Sequence, residues 1–209
     1  IAELSKEIEE KEQELFQLAN ELYEKRTAVV PKLEAYLLEL LAEMKMEHSR
    51  FRILLEKGEK MDSNGGMSIQ ILFSANKGLE LKPIEKAASG GELSRVMLAI
   101  QLIMSEKKSL PTLILDEIDT GVSGEVALRM GKLLKQMGKH LQVFAITHLP
   151  QIAAKGNAHF KVFKTTIGEL THSELKILTN EERILEIAQM LSGTAVSDSA
   201  LNHAKALLD

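Results

Sequence analysis

With 209 residues, 44% of them apolar, and a formal net charge of −4, the chain is long enough for one large domain or two small ones with a core. It holds no Cys, which excludes a disulfide framework, a thiolate metal site and a cysteine nucleophile, and its 4% of aromatics without Trp advertises no base-stacking platform. No apolar run approaches the ~18 residues of a membrane span, no signal-peptide pattern appears, and the net acidity makes no overall electrostatic case for nucleic acid.

The first residue is Ile1 rather than Met, which suggests a piece cut from something longer. Residues 1–29 repeat every seven: Ile1, Ile8, Leu15, Leu22 and Val29 share one seam position, and Leu4, Lys11, Leu18 and Lys25 the position three residues on. That spacing predicts a coiled-coil helix, weakened by its two lysines and bordered by Glu7, Glu14 and Glu21. The acidic border favours a more basic partner strand over a copy of itself; a solvent-exposed amphipathic helix is the plainer alternative. Pro31 should start a new helix or kink a continuing one, after which Leu33, Leu37, Leu40, Leu41 and Met44 hold a helical stripe.

Phe51–Glu56 and Ser68–Ala75 read as strands of an antiparallel hairpin around the turn stretch Met61-Asp62-Ser63-Asn64-Gly65-Gly66. Ile69, Ile71 and Phe73 share one face of the second strand, and a loop is expected over 76–88. Residues 92–105 predict a helix with Leu93, Val96, Met97, Ile100 and Ile103 inward. The apolar runs 112–115 and 142–147 suit a parallel sheet covered on both faces, joined through a helix over 124–138 as a β-α-β unit. Residues 158–165 and 170–178 alternate and should pair. Asn180 is placed to cap a helix over 181–191 that ends at Gly193, and Ser197 to cap a last helix through Leu208.

Three places carry nameable chemistry. Ser89-Gly90-Gly91-Glu92 puts two glycines at a helix start, where backbone N–H groups can meet an anion with no Cβ in the way. The same four residues also read as a capping box that needs no ligand. Asp116 and Glu117 end the first apolar strand, so one carboxylate could hold Mg²⁺ while the other faces a water; a solvated acid pair is the alternative. Asp119, Ser123 and Gly124 follow in the next loop. His148 ends the second apolar run, where an imidazole can donate to a phosphate oxygen or polarise a water, though a lone His is more often a satisfied loop residue. The other His residues are scattered, which argues against zinc.

In that order, and in their wording, these parts resemble the SMC-like coiled-coil ABC ATPases of bacterial DNA repair. The resemblance rests on Ala88-Ser89-Gly90-Gly91-Glu92-Leu93-Ser94-Arg95, on Leu115-Asp116-Glu117-Ile118-Asp119-Thr120-Gly121-Val122-Ser123-Gly124, and on Ile146-Thr147-His148-Leu149-Pro150-Gln151-Ile152-Ala153-Ala154. It implies an α/β fold: half of an ABC-type ATPase head, a mixed or parallel sheet flanked by helices, with an amino-terminal coiled-coil helix segment. Residues 1–48 would be the base of the descending arm and a linking helix, and 49–209 the carboxy-terminal lobe of the head.

The resemblance also implies roles. Ser89, Gly90, Gly91 and Glu92 would be the signature motif that closes over ATP held by the opposite head. Asp116 would bind Mg²⁺, Glu117 would be the general base, Asp119, Ser123 and Gly124 would line the loop along the dimer interface, and His148 would be the switch histidine. One departure is plain: no Gly-x-x-x-x-Gly-Lys-Ser/Thr occurs in the chain. The phosphate-cradling P-loop would therefore come from an amino-terminal half-head, and this chain alone should be inactive. Implied partners are that half-head, a second head in an ATP-dependent homodimer, and DNA, with no membrane and a cytoplasmic, nucleoid-associated location. The competing classes are a non-catalytic coiled-coil adaptor and the nucleotide-binding domain of an ABC transporter. Glu92, where transporters usually carry Gln, and the heptad arm speak against the transporter.

Overall fold

The computed structural model describes residues 2–58, 61–87, 89–107, 111–116, 118–122, 124–167, 170–193 and 195–209. The chain forms two compact units, Ile1–Val96 and Met97–Asp209.

The first unit opens with α1 (Ala2–Glu43), a helix that continues through Pro31. A proline inside a helix costs roughly 3 kcal/mol. The turns that follow it bury Glu34, Leu37, Leu40 and Leu41, and this packing outweighs the lost hydrogen bond. Before Pro31 most of the seam is bare: Leu4, Ile8, Leu15, Leu18 and Val29 are all more than half exposed, and Leu22 is half-buried.

Strand β1 (Arg50–Lys57) pairs antiparallel with β2 (Met67–Ser74), in the register Phe51↔Phe73 and Ile53↔Ile71. The expected hairpin forms, but its apolar face is buried at Phe51 and Phe73 and exposed at Ile69 near the turn. That turn is held by Asp62, whose carboxylate accepts from the N–H groups of Asn64 (2.7 Å) and Gly66 (2.9 Å). Gly65 has φ of +87°, and a Cβ there would lie 3.2 Å from the Leu22 side chain of α1. The hairpin is strapped to α1 near its turn and along β1. Arg26 donates to the Asn64 carbonyl at 2.9 Å, and Lys57 donates to Asn20 at 2.8 Å with its ammonium 4.6 Å from the Tyr23 ring centre. Buried Glu34 accepts from the Ile53 N–H at 2.7 Å and from Arg52 at 3.0 Å.

The expected loop over 76–88 instead contains a short strand β3 (Lys82–Pro83), paired with β2, and one helical turn, α2 (Ile84–Ala87). Two-residue strands leave no periodicity to read. Helix α3 (Gly90–Lys107) spans the boundary between the units and corrects the predicted inward face. Val96, Leu98, Ala99 and Leu102 are buried, whereas Leu93 and Met97 are exposed. Apolar residues lie nearly all round this helix, so their spacing alone did not select a face.

In the second unit β4 (Thr112–Leu115), α4 (Gly124–Met137) and β5 (Gln142–Ala145) make the expected β-α-β unit, the strands parallel with Thr112↔Gln142 through Leu115↔Ala145. The double covering does not hold: Ile114, Phe144 and Ile146 are 68%, 43% and 57% exposed. Helix α4 buries Ala127, Met130, Gly131, Leu133, Leu134 and Met137. Gly131 is required by close approach, since a Cβ there would meet the Gln151 carbonyl oxygen at 2.9 Å. That carbonyl belongs to α5 (Pro150–Ala153), a short helix that periodicity did not reveal.

Strands β6 (Phe160–Ile167) and β7 (Leu170–Ile177) pair antiparallel as expected. Helices α6 (Asn180–Ser192) and α7 (Asp198–Leu208) close a small core of Ala154, Ile187, Ala188, Ala200, Ala204 and Leu207. Lys161 and Lys176 of the hairpin pair with Glu186 and Glu182 of α6. The cap of α6 is Thr179 rather than Asn180: its hydroxyl accepts from the Glu182 N–H, and the Glu182 carboxylate takes the Thr179 N–H in return. Thr179 wins because Glu182 stands three residues on, the spacing a reciprocal box requires. Ser197 caps α7 as predicted.

Candidate functional site

The residues singled out by sequence lie in two places, one in each unit. In the first, α3 begins at Gly90, and the Ser89 N–H donates to the Glu92 carboxylate at 2.8 Å while the Leu93 N–H reaches the Ser89 carbonyl at 2.8 Å. Ser94 donates back to the Gly90 carbonyl at 3.0 Å. Glu92 thus supplies the reciprocal arm of a capping box, and the first turn is ordered by its own residues. Ser89 and Gly90 are exposed, Gly91 and Glu92 half-buried. Among the described residues a Cβ built on Gly90 would meet nothing within 4 Å, so none of their packing demands a glycine there. The positive end of the helix dipole makes a helix start suited to an anion.

In the second unit Asp116 is exposed one residue beyond β4, and His148 stands three residues beyond β5. Parallel pairing puts both at the carboxyl end of the strands, where open α/β sheets hold ligands. Glu117 and Ser123, predicted as general base and loop residue, lie outside the described residues. Gly124 opens α4 at φ +55°, with open space where a Cβ would be.

Asp119 takes a different place from the other polar site residues. It is buried at 2% exposure beside the buried Ile118 and Val122. Its Oδ2 accepts from the Thr147 hydroxyl, from the His148 N–H at 3.0 Å, and faces His148 Nδ1 at 3.2 Å. The Thr147 oxygen in turn accepts from the Leu149 N–H at 3.0 Å. One carboxylate therefore ties the loop after β4 to the loop after β5. Thr147 was not among the predicted site residues; the only signal for it was a hydroxyl residue directly before His148 at a strand end.

Among the described residues no cluster of three or more acidic or histidine side chains could enclose a metal. Exposed Asp116 nevertheless fits Mg²⁺, which keeps most of its waters and commonly takes one or two carboxylates plus substrate phosphates.

No family model matches the chain. Among solved structures, the Smc head domain with a coiled coil and joint from Pyrococcus yayanosii matches with a TM-score of 0.61 at 19% identity, over 90% of this chain and 35% of that one. A structure from work on ATP-driven dimerization and DNA stimulated activation of SMC ATPases matches with a TM-score of 0.54 at 19% identity, over 82% of this chain and 99% of that one. The fold is thus that of an SMC-type head with a coiled-coil helix, the α/β class the sequence implied. The DNA repair protein RecN of Vibrio cholerae is 38% identical over 206 residues, 98% of this chain and 37% of RecN. RecN of Streptomyces coelicolor is 35% identical over 208 residues, 94% of this chain and 36% of its own length. Over the segment they share, this chain belongs to the RecN family; it spans a little over a third of the length of the curated relatives it matches.

Proposed function

We propose that the chain is the carboxy-terminal half of an SMC-like ATP hydrolase in recombinational repair of DNA double-strand breaks. Residues 1–48 serve as the base of the descending arm and linking helix, and 49–209 as the carboxy-terminal lobe of the head. The observation that carries this reading is the common end of β4 and β5, where Asp116 and His148 emerge from two strands whose following loops share the Asp119 carboxylate. Support also comes from the family, whose relatives are DNA repair proteins.

When bound, ATP with Mg²⁺ supplies the γ-phosphoryl group for transfer to water. Asp116 holds the metal. Glu117 takes the proton of the attacking water, and His148 orients and polarises water beside the reacting phosphate. Ser89, Gly90, Gly91 and Glu92, at the start of α3, close over the nucleotide held by a second copy of the head, while Asp119, Ser123 and Gly124 belong to the loop along that dimer interface. This division suits phosphoryl transfer, which needs positioning and charge neutralisation more than covalent catalysis.

The P-loop comes from an amino-terminal half-head, and the exposed Ile114, Phe144 and Ile146 offer a surface for it to cover. DNA is the macromolecular partner, and the protein works in the cytoplasm at the nucleoid. No described helix is long and apolar enough to cross a membrane.

The test is ATP turnover by the full-length protein and by its Glu117→Gln variant. Turnover should fall by about 10²–10⁴-fold, as for loss of a positioned general base. ATP-bound head dimers should then accumulate in sedimentation. Equal turnover in both proteins overturns the reading, and a full-length protein without turnover favours the structural adaptor.

A further inference from the structure

We infer that Asp119 is a positioning residue for His148, fixing its ring with Nδ1 inward and Nε2 outward and locking the loop after β4 to the end of β5. The inference rests on the reading of His148 as a working residue, and it gives Asp119 a task different from contact with a ligand or a second head.

The two side chains have opposite settings. The Asp119 side chain is 2% exposed and that of His148 74% exposed. A ring so open has little packing to hold it, and among the described residues Asp119 is its only charged or hydrogen-bonding partner. The carboxylate is itself immobilised, because the Thr147 hydroxyl and the His148 N–H both donate to Oδ2, the oxygen that faces Nδ1. Thr147 is oriented in turn, since its oxygen accepts from the Leu149 N–H. An ionised carboxylate only accepts, so the ring nitrogen facing it carries the proton. The neutral ring is then the Nδ1–H tautomer, with Nε2 unprotonated and turned away from Asp119. The hydrogen bond at one ring nitrogen sets what the other can do, the same logic by which carboxylates orient ligating and catalytic histidines elsewhere.

The arrangement also has a mechanical consequence. Asp119 lies in the turn that follows Asp116, and its own carbonyl accepts the Val122 N–H at 3.1 Å. A displacement of residues 118–122 therefore moves the carboxylate, and with it the His148 backbone it accepts from and the ring nitrogen it faces at 3.2 Å.

The tautomer can be measured without nucleotide. Two-bond ¹H–¹⁵N correlation on full-length protein labelled with ¹⁵N-histidine, at a pH where imidazole is neutral, reports which nitrogen is protonated, and His148→Gln assigns the resonance. The expected result is Nδ1–H in the unsubstituted protein and a shift to Nε2–H, the tautomer of an unconstrained imidazole, in Asp119→Ala. Turnover in that variant should fall about 10–100-fold, the usual loss when an orienting partner is removed, with ATP binding retained. Predominant Nε2–H in the unsubstituted protein overturns the inference, as does unchanged Nδ1–H in a folded Asp119→Ala. Should Asp119→Ala fail to fold, the tautomer of the unsubstituted protein still decides. A full-length protein with no ATPase activity would remove the functional reading and leave this result standing.

Discussion

The start of α3 and the loops after β4 and β5 solve the same problem in opposite ways. At the helix start, order comes from backbone groups and a single Glu92 arm, and among the described residues nothing lies within 4 Å of where a Gly90 Cβ would stand. At the strand ends, order comes from a buried side chain, and one carboxylate is shared by three groups of the neighbouring loop. An open turn tolerates change as long as no ligand is present. A closed network does not, because removing its centre leaves the half-buried Thr147 hydroxyl and the His148 N–H without the partner that orders them.

Substitutions can separate the two designs. Glu117→Gln should have the largest effect, the loss of turnover given above. Next comes Asp119→Ala, which should lower both turnover and stability and so mark the closed design. Gly90→Ala should divide the two readings of the helix start. Its φ is not among the positive values and a new Cβ meets nothing, so the unfolding midpoint should stay put or rise slightly, Ala being favoured over Gly in helices by up to about 1 kcal/mol. Turnover of the full-length protein should nonetheless fall. Unchanged turnover would mean that the open space is idle and the motif is a cap alone.

Away from the site, Glu34→Ala tests the strap between α1 and β1. It strands the Ile53 N–H and frees Arg52, so urea unfolding should show a loss of about 1–3 kcal/mol, with no direct effect on nucleotide chemistry. The smallest effect is expected at Glu182. The Lys176 ammonium, with help from the Thr179 N–H, holds its carboxyl below the usual carboxylate range. A group whose pKa is lower folded than unfolded contributes stability above its unfolded value and loses it as pH falls through the folded one. Acidification should therefore weaken the start of α6, and Glu182→Gln should flatten that part of the thermal-stability profile. An identical acid slope in Glu182→Gln would show that other groups carry it.

The sequence by itself determined those features that depend on neighbours along the chain. Alternation placed β1, β2, β6 and β7, the glycine pair marked the start of α3, Ser197 its cap on α7, and a helix between two apolar runs the parallel pair β4–β5. Local spacing also brought Asp116 and His148 to strand ends, where chemistry was expected. Tertiary structure decided what depends on residues far apart. It selected the buried face of α3, carried α1 through Pro31, left Ile114 and Phe144 uncovered, and added β3 as a partner to β2. Above all it turned Asp119 inward to Thr147 and His148, 28 and 29 positions away. No periodicity encodes that contact, because a side chain's hydrogen-bond partner across a β-α-β crossover is set by how the two strand ends pack, and adjacent strand ends become neighbours only when the sheet forms.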